Sequence, residues 1–255
     1  MSPKPDILPS LRARKLSRRY GTRVAVDLLD LDLHPGEVLG LLGPNGAGKS
    51  TTMQILSGNL APSSGSVEIC GVDLSEQPEA AKANLGYLPE IPPLYRELTV
   101  REFLRLAARQ HRVPKAELDA AVSRALQCCG LDEVAKRLIG GLSKGYRQRV
   151  GIAQAIVHNP SVIILDEPTA GLDPLQIREI RELIATLGRT HSVILSTHIL
   201  AEAEALCDRV LILHQGRVVF SGDMAELRRQ WQEDGACENG LEAMFVRLTR
   251  QEAPT

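Results

Sequence analysis

Residues 43 to 51 read Gly-Pro-Asn-Gly-Ala-Gly-Lys-Ser-Thr and follow directly on the apolar run Val38–Leu42. Their spacing fits the pattern G-x-x-x-x-G-K-S/T, a loop whose backbone N–H groups surround phosphate oxygens. The glycines allow the backbone to curl tightly, and a helix predicted from about Lys49 would direct its positive dipole end at the same point. The segment therefore predicts a strand, a phosphate-binding loop and a helix, in that order.

The side chains of this loop have separate predicted tasks. Lys49 can reach the β- and γ-phosphates of a nucleotide, and the Ser50 hydroxyl can bind Mg²⁺. The alternative is a glycine-rich turn without a ligand, which the flanking strand and helix argue against. The predicted nucleotide-binding residues of the loop are Gly43, Pro44, Asn45, Gly46, Ala47, Gly48, Lys49, Ser50 and Thr51.

A second apolar run, Val162–Leu165, ends in Asp166 and Glu167. Such a run is typical of a strand that is buried on both faces of a parallel sheet. Because ligands of doubly wound sheets lie beyond the carboxyl ends of the strands, both acids are expected near the phosphate-binding loop. Asp166 is then suited to be a ligand of Mg²⁺, and Glu167 is suited to be the base that polarises an attacking water. The alternative is that the two acids merely end a strand at the solvent.

Composition sets wide limits. The chain has 255 residues, of which 44% are hydrophobic, and a formal net charge of −1. A chain of this length and composition can build a large core, as one domain or as a domain with a lobe. Its net charge creates no overall electrostatic attraction to nucleic acid or to an anionic membrane. The basic residues concentrated in 1–23 predict a solvated face, with a nucleotide or lipid headgroup as the sharper alternative.

The cysteines and the apolar runs bear on location. The five cysteines are odd in number and lack metal-ligand spacing, which predicts a reduced, cytosolic protein. Cys128 and Cys129 lie in an amphipathic pattern and are predicted to be small core residues. Residues 1–10 contain no secretory signal, and no run approaches the ~18 apolar residues of a membrane span. If the protein acts at a membrane, another chain must supply the spans.

The order of patterns along the chain predicts an α/β fold with two additions. An N-terminal antiparallel β portion precedes a helical lobe inserted at about 91–160, in which Thr99 and Glu102 form a capping box. Asp173 is the predicted N-cap of a later helix, with proline at its first position. Residues 1–220 are expected to form the main domain, and residues 221–255 a C-terminal extension of short helices.

Two further motifs carry a family resemblance. The run Ile-Ile-Leu-Asp-Glu-Pro-Thr-Ala-Gly-Leu-Asp within Val162–Asp173 resembles the second nucleotide motif and dimer loop of ATP-binding-cassette (ABC) ATPases. Leu-Ser-Lys-Gly-Tyr-Arg-Gln-Arg at 142–149 resembles the signature motif that defines that family. The resemblance extends from Leu11 to Phe220. It implies a P-loop NTPase core, a mixed sheet with flanking helices, in residues 1–220, with ATP and Mg²⁺ as cofactors.

The resemblance assigns roles to four residues outside the phosphate-binding loop. Ser143 and Gly145 open a predicted helix that contacts the γ-phosphate bound by the opposite subunit, and a hydroxyl with helix N-terminal N–H groups suits that task. His198 resembles the switch histidine that contacts the γ-phosphate. Tyr20 resembles the aromatic residue that stacks on adenine. The competing interpretations are an ordinary serine-capped helix for Ser143 and a structural role for His198.

The chain also departs from the family pattern. Glu90 stands where the family usually has glutamine, and its carboxylate can still ligate Mg²⁺. Lys144 and Tyr146 replace a commoner glycine and glutamine in the signature. Both departures resemble the exporter subgroup with ABC-2 type membrane partners, which includes gliding-motility-like and multidrug-like branches. The run at 241–249 resembles the C-terminal helix of that subgroup.

The resemblance implies an ATP-hydrolysing subunit that dimerises head to tail with a second copy when ATP binds. A separate integral membrane permease would convert this motion into export, which puts the chain in the cytoplasm, peripheral on the inner face of the cell membrane. No nucleic acid partner is expected. The alternative is a non-transport ABC ATPase that acts on a ribosomal, DNA or assembly partner, and a nucleotide-binding regulator without turnover is a third possibility.

Overall fold

The computed structural model describes residues 8–233, which contain ten β-strands and eight α-helices. The strands are β1 (Leu11–Tyr20), β2 (Arg23–Leu33), β3 (Val38–Leu42), β4 (Ser64–Ile69), β5 (Val72–Asp73), β6 (Leu85–Leu88), β7 (Val162–Leu165), β8 (Ser192–Thr197), β9 (Arg209–His214) and β10 (Arg217–Asp223). The helices are α1 (Lys49–Leu56), α2 (Pro78–Lys82), α3 (Val100–Gln110), α4 (Leu118–Cys128), α5 (Lys144–Ile156), α6 (Pro174–Leu187), α7 (Leu200–Leu206) and α8 (Met224–Glu233).

The larger sheet has six strands in the order β10-β9-β3-β8-β7-β6. All neighbouring pairs are parallel except β9 with β10, which form an antiparallel hairpin at one edge. Every residue of β3 and β7 is buried, as expected of parallel strands covered on both faces. The carboxyl ends of β3, β8, β7 and β6 therefore lie next to one another.

The smaller sheet is antiparallel, with strand order β2-β1-β4-β5. The β1–β2 hairpin turns at residues 21–22, and its two strands carry six of the basic residues in 1–23: Arg12, Arg14, Lys15, Arg18, Arg19 and Arg23. Nη2 of Arg14 donates to both carboxylate oxygens of Asp32 on β2, and Nε of Arg12 lies 3.5 Å from Oδ1 of the same carboxylate. Part of the basic face is thus paired within the sheet.

The core lies on both faces of the larger sheet, and β3 shows how one strand serves both. Leu39 and Leu41 pack with the antiparallel sheet and α1, whereas Val38 and Leu42 pack with the helices of the opposite face. Alternate residues of a strand point to opposite faces, so an uninterrupted apolar run is needed to cover both. The phosphate-binding loop follows β3 at the edge of this sheet, and its Ala47 packs into the layer of the antiparallel sheet and α1.

The helices α3, α4 and α5 follow β6 in the chain and precede β7. The predicted capping box is present: Thr99 accepts from the Glu102 N–H, and the Glu102 carboxylate accepts from the Thr99 N–H. Two short 3₁₀ turns, Asp132–Val134 and Ile139–Gly141, connect α4 to α5. The apolar residues of α3 and α4 at helical spacing are buried, namely Val100, Phe103, Leu104, Ala107, Ala108, Leu118, Val122 and Ala125.

One core prediction was half wrong. Cys129 is buried, but Cys128 is exposed, because Cys129 lies four residues after the buried Ala125 on the same face, whereas Cys128 is rotated by about 100° to the edge of that face. A second finding in this region joins α3 to the end of α5. The rings of His111 and His158 stack with centroids 3.6 Å apart, and His158 Nε2 lies 3.1 Å from the Leu85 carbonyl oxygen.

The C-terminal part is described only as far as α8. The predicted extension begins inside β10, which continues to Asp223, and α8 follows within it. The rest of that prediction, including the run at 241–249, falls on residues outside the described range. Within residues 8–233, no helix is both long and apolar enough to cross a membrane.

Candidate nucleotide-binding and catalytic site

Four adjacent parallel strands deliver the predicted functional residues to one edge of the sheet. The phosphate-binding loop follows β3, His198 follows β8, Asp166 and Glu167 follow β7, and Glu90 follows β6. This edge is where ligands of open α/β sheets collect. The sequence prediction that these residues lie together is therefore consistent with the order of the strands.

A cavity of about 260 Å³ opens at this edge. The cavity is lined by residues of the phosphate-binding loop, by Glu167 at the carboxyl end of β7 and by His198 after β8. Its lining residues are Arg23, Ala25, Asn45, Gly46, Gly48, Lys49, Ser50, Thr51, Glu90, Glu167, Ala170 and His198.

The phosphate-binding loop needs glycine at its closest approach to the neighbouring sheet. Gly48 has φ +109°, and a Cβ atom there would collide with the Ala25 carbonyl oxygen of β2. Gly216, in the turn between β9 and β10, donates its N–H to the Ala47 carbonyl oxygen at 2.9 Å and accepts from the Asp27 N–H at 2.8 Å. The loop is thus fixed against both sheets.

Lys49 lines the cavity, although the residue is buried and only 6% of its surface is exposed. Its ammonium donates to the Gly43 carbonyl oxygen at 2.8 Å and lies 3.3 Å from Glu167 Oε1. A buried ammonium is stable only when it is paired and hydrogen-bonded, and both conditions are met here. The cation is positioned to meet an anionic phosphate, with a carboxylate beside it.

Asp166 lies beneath the cavity and is 2% exposed. Its Oδ1 accepts from the Ser196 hydroxyl at 2.6 Å, and the Ser50 hydroxyl lies 3.5 Å away. Burial raises the pKa of Asp166, the two serine hydroxyls oppose the increase, and the charges of Glu167 and Glu90 add to it. A divalent cation at this point would offset the crowding of negative charge.

The donors present fit Mg²⁺ but do not form a complete protein cage. Ser50, Asp166 and Glu90 offer hard oxygen atoms of the kind that Mg²⁺ prefers. Within residues 8–233, no group of three or more His, Cys, Asp or Glu side chains is arranged to hold a metal ion. Mg²⁺ commonly binds through one or two carboxylates with phosphate oxygens and water, so this incomplete set suits a nucleotide-bound ion.

Glu167 has an unusual backbone that two neighbours hold in place. Its φ is +48°, which is uncommon for a residue other than glycine and carries a cost in free energy. Its N–H donates to the Ser196 hydroxyl at 2.8 Å, and His198 Nδ1 lies 2.9 Å from its Oε2. His198 is the more exposed partner, with 48% of its side chain accessible, so the pair faces the cavity from the solvent side.

The two signature residues lie outside this cavity. Ser143 is exposed and caps α5 by accepting from the Tyr146 N–H at 3.4 Å, whereas Gly145 is buried against Gln176 of α6. A serine-capped helix N-terminus facing solvent is compatible with a ligand presented by another subunit. Neither residue is among the lining residues of the cavity in its own chain.

Tyr20 is also apart from the cavity. It lies at the end of β1 with 47% of its surface exposed, and the Arg18 guanidinium is 4.8 Å from its ring centroid. An exposed aromatic ring with one face covered by arginine agrees with the expectation that it is not a core residue. The cavity lining does not include it.

Sequence reasoning missed two residues of the site. Arg23 lines the cavity from the start of β2, although its position in the sequence marks it only as one of the basic residues in 1–23. Ser196 joins Asp166 to the Glu167 backbone, and its place in the Ser-Thr-His run at the end of a predicted strand could have indicated this.

Comparison with known proteins identifies the class. The family described as ABC transporter matches residues 26–170, more than half of the 255 residues, and the chain belongs to this family. The match includes the phosphate-binding loop and both acids after β7. The signature segment at 142–149 lies within the same range.

Relatives and solved structures agree. The bacitracin transport ATP-binding protein of Bacillus licheniformis is 39% identical over 82% of this chain and 68% of its own length. A solved ATP-binding subunit of an ABC transporter has a TM-score of 0.82 and 37% identity, covering 94% of this chain and 99% of that one. A dimeric ATP-binding cassette in a post-hydrolysis state with ADP and Pi has a TM-score of 0.74 and 25% identity, covering 84% and 98%. The predicted fold and class, an ABC transporter ATP-binding subunit with ATPase activity, are confirmed.

Proposed function

We propose that this chain hydrolyses Mg-ATP to drive export through a separate ABC-2 type membrane permease. The observation that carries the catalytic part is the cluster of Lys49, Glu167 and His198. Glu167 lies 3.3 Å from the Lys49 ammonium and 2.9 Å from the His198 ring, within one cavity at the phosphate-binding loop. One cavity thus brings together a cation for the phosphates, a carboxylate base and a histidine, all within reach of a bound γ-phosphate.

Each residue of the cluster has a distinct proposed task. Lys49 and the N–H groups of residues 43–51 bind the β- and γ-phosphates. Glu167 accepts a hydrogen bond from the attacking water and orients it toward the γ-phosphorus, and His198 contacts the γ-phosphate and holds Glu167 in place. Tyr20 stacks on the adenine ring.

Ser50, Asp166 and Glu90 are the proposed Mg²⁺ ligands. The ion, when bound with the nucleotide, neutralises charge on the β- and γ-phosphate oxygens. Asp166 suits this place because it is buried beneath the loop with its Oδ1 already oriented by Ser196 at 2.6 Å. Glu90 is exposed and lines the cavity, so its carboxylate can approach the ion from the solvent side.

A second copy of the chain is proposed to complete each site. Ser143 and Gly145 lie outside the cavity of their own chain, at the exposed N-terminus of α5. In a head-to-tail dimer this helix end would meet the γ-phosphate bound by the partner. The similarity to a dimeric ATP-binding cassette supports this arrangement.

The proposed export and the proposed location are supported by similarity to known proteins. The similarity to a bacitracin transport protein, together with Glu90 and the signature residues Lys144 and Tyr146, supports the exporter subgroup. The chain would then act in the cytoplasm on the inner face of the cell membrane, bound to the permease. We further propose residues 1–220 as the ATPase domain, with the lobe at about 91–160, and 221–255 as a C-terminal extension.

Two measurements test this function. The purified chain should hydrolyse ATP in the presence of Mg²⁺, and a chain with no Mg-dependent turnover would contradict the catalytic proposal. When it is expressed with a polytopic membrane protein encoded beside it, the two should co-purify, and ATPase activity should respond to the partner. Co-purification with ribosomes or DNA instead would favour a non-transport ABC ATPase.

A further inference from the structure

A buried glutamate lies behind the candidate catalytic residues. Glu202 belongs to the first turn of α7 and is only 2% exposed. Its two carboxylate oxygens bind different segments, the loop after β7 and the end of β8 where the next loop begins. Oε1 accepts from the Thr169 hydroxyl at 2.7 Å, and Oε2 accepts from the Thr197 hydroxyl at 2.7 Å. Glu202 does not line the cavity, so it has no direct contact with a nucleotide there.

The first of these loops carries Glu167. Thr169 is two residues further along the chain and is buried. The intervening backbone is tight, because the Ala170 N–H donates to the Glu167 carbonyl oxygen at 3.1 Å. Since Glu167 itself has φ +48°, its side-chain direction depends on how this short turn is anchored. The bond from Thr169 to Glu202 is that anchor.

The second loop carries His198. Thr197 precedes the histidine directly and is fully buried. Its hydroxyl oxygen accepts from the Ile199 N–H at 3.0 Å while its hydrogen is donated to Glu202. The backbone on both sides of His198 is therefore tied to one carboxylate.

The charge of Glu202 has a nearby partner. Arg181 of α6 lies with Nη2 3.6 Å from Glu202 Oε1. A buried carboxylate is costly to keep unless it is paired and its oxygens are hydrogen-bonded, and Glu202 has two hydroxyl donors and a cation. This arrangement links α6, α7 and the ends of β7 and β8 through one side chain.

We propose that Glu202 is a positioning residue that sets the separation of Glu167 and His198 by holding Thr169 and Thr197. This inference rests on the proposed ATPase function. It assigns the 2.9 Å contact between His198 Nδ1 and Glu167 Oε2 to a common support, one carboxylate that joins the two loops from behind. A purely structural carboxylate would instead stabilise the fold without any selective effect on the chemical step.

The test compares Glu202→Gln with Thr197→Val and with the exposed control Glu182→Gln. Glutamine has nearly the same size but provides only one acceptor oxygen, so one of the two threonine bonds must change. We expect kcat to fall by up to about 100-fold in Glu202→Gln, because small displacements of reacting groups have effects of that order. The KM for ATP, the affinity for a fluorescent ATP analogue and the urea midpoint should remain close to wild type.

Thr197→Val keeps the side-chain shape and removes a single hydroxyl, so it remains informative if the glutamate variant does not fold. It should lower kcat with little change in KM. Combining it with Glu202→Gln should lower kcat no further than Glu202→Gln alone, since residues that act as a unit are not additive. Glu182→Gln should match the wild type in every measurement.

The outcomes separate the two proposals. An active wild type with unchanged kcat in both variants would overturn the positioning role and leave the ATPase function intact. A parallel loss of kcat, nucleotide affinity and urea midpoint in both variants would also overturn it in favour of a structural role. A wild type without Mg-dependent ATPase activity would overturn both proposals.

Discussion

The ammonium nitrogen of Lys49 lies 3.3 Å from Oε1 of Glu167, although one residue opens α1 and the other follows β7. The pair places the one cationic side chain of residues 43–51 against the carboxylate that is the proposed base. Because His198 contacts the other oxygen of the same carboxylate, Glu167 is held between two groups with affinity for phosphate. Substitutions at Glu167 should therefore affect hydrolysis more than binding.

Glu167→Gln is expected to bind ATP and to hydrolyse it about 10²- to 10⁴-fold more slowly, which is the usual contribution of a positioned general base. Neutralising the carboxylate also removes its repulsion with the γ-phosphate, so an ATP-bound dimer should accumulate. Size-exclusion chromatography with and without ATP measures the dimer, and a phosphate-release assay measures turnover. A variant that stays monomeric with ATP and keeps wild-type turnover would disprove the role.

Ser143→Arg should abolish turnover while the ATP affinity of the monomer remains nearly unchanged. The bulky side chain would block a site completed by another subunit, whereas Lys49 and Tyr20 are proposed to act within their own chain. Ser123→Arg, an exposed change on α4, is the matched control. An equal loss of ATP binding in the isolated monomer would contradict the division between the two subunits.

Glu90→Gln tests the departure from the family pattern. If Glu90 is a Mg²⁺ ligand, its loss should raise the Mg²⁺ concentration for half-maximal ATPase activity by about 10-fold, with the fold and ATP affinity unchanged. Glu90→Ala should have a larger effect than Glu90→Gln, and the exposed Glu97→Gln should have none. Superimposable Mg²⁺ titrations for wild type, Gln and Ala would mean that Glu90 has no part in the metal site.

The stacked histidines predict a pH dependence of stability. Burial, with a smaller contribution from the charge of the neighbouring His111, lowers the pKa of His158 to about 4, although the hydrogen bond to the Leu85 carbonyl opposes both effects. Below the unfolded value near 6.5 the unfolded state binds more protons, so stability is full above that pH and falls as pH drops toward 4. The free energy of unfolding should be about 1 to 2 kcal/mol lower at pH 5 than at pH 7 from this residue.

Urea denaturation of wild type and His158→Gln at both pH values isolates this contribution from the carboxylates that titrate in the same range. The variant should show a smaller decrease between pH 7 and pH 5, and the exposed His34→Gln should behave as wild type. Equal decreases in wild type and His158→Gln would show that His158 becomes protonated at little cost.

Much of the fold was predictable because local patterns and burial agree. The strands Val38–Leu42 and Val162–Leu165 have the predicted bounds, and Asp173 caps α6 by accepting from the Gln176 N–H at 2.9 Å. Cys128 was misassigned because the helical spacing of Leu118, Val122 and Ala125 continues at Cys129 and leaves Cys128 beside the buried face.

The support of the site was less predictable than its reacting groups. Lys49, Asp166 and Glu167 occur in runs whose spacing indicates their chemistry. Glu202, in contrast, occurs among alanines and glutamates in a short helix, where a charge would be expected on the exposed face. Its burial follows from contacts with Thr169, in the loop after β7, and Thr197, at the end of β8, and no local pattern indicates such contacts.

The close approach of Gly48 to the Ala25 carbonyl has a consequence for how this chain tolerates changes in length. With no space left between the loop and β2, a shift in the register of β2 would push directly on the nucleotide-binding backbone. The exposed tip of the β1–β2 hairpin at residues 21–22 is not under that constraint. Insertions there can lengthen the hairpin outward, whereas a single added residue beside Ala25 would displace the loop.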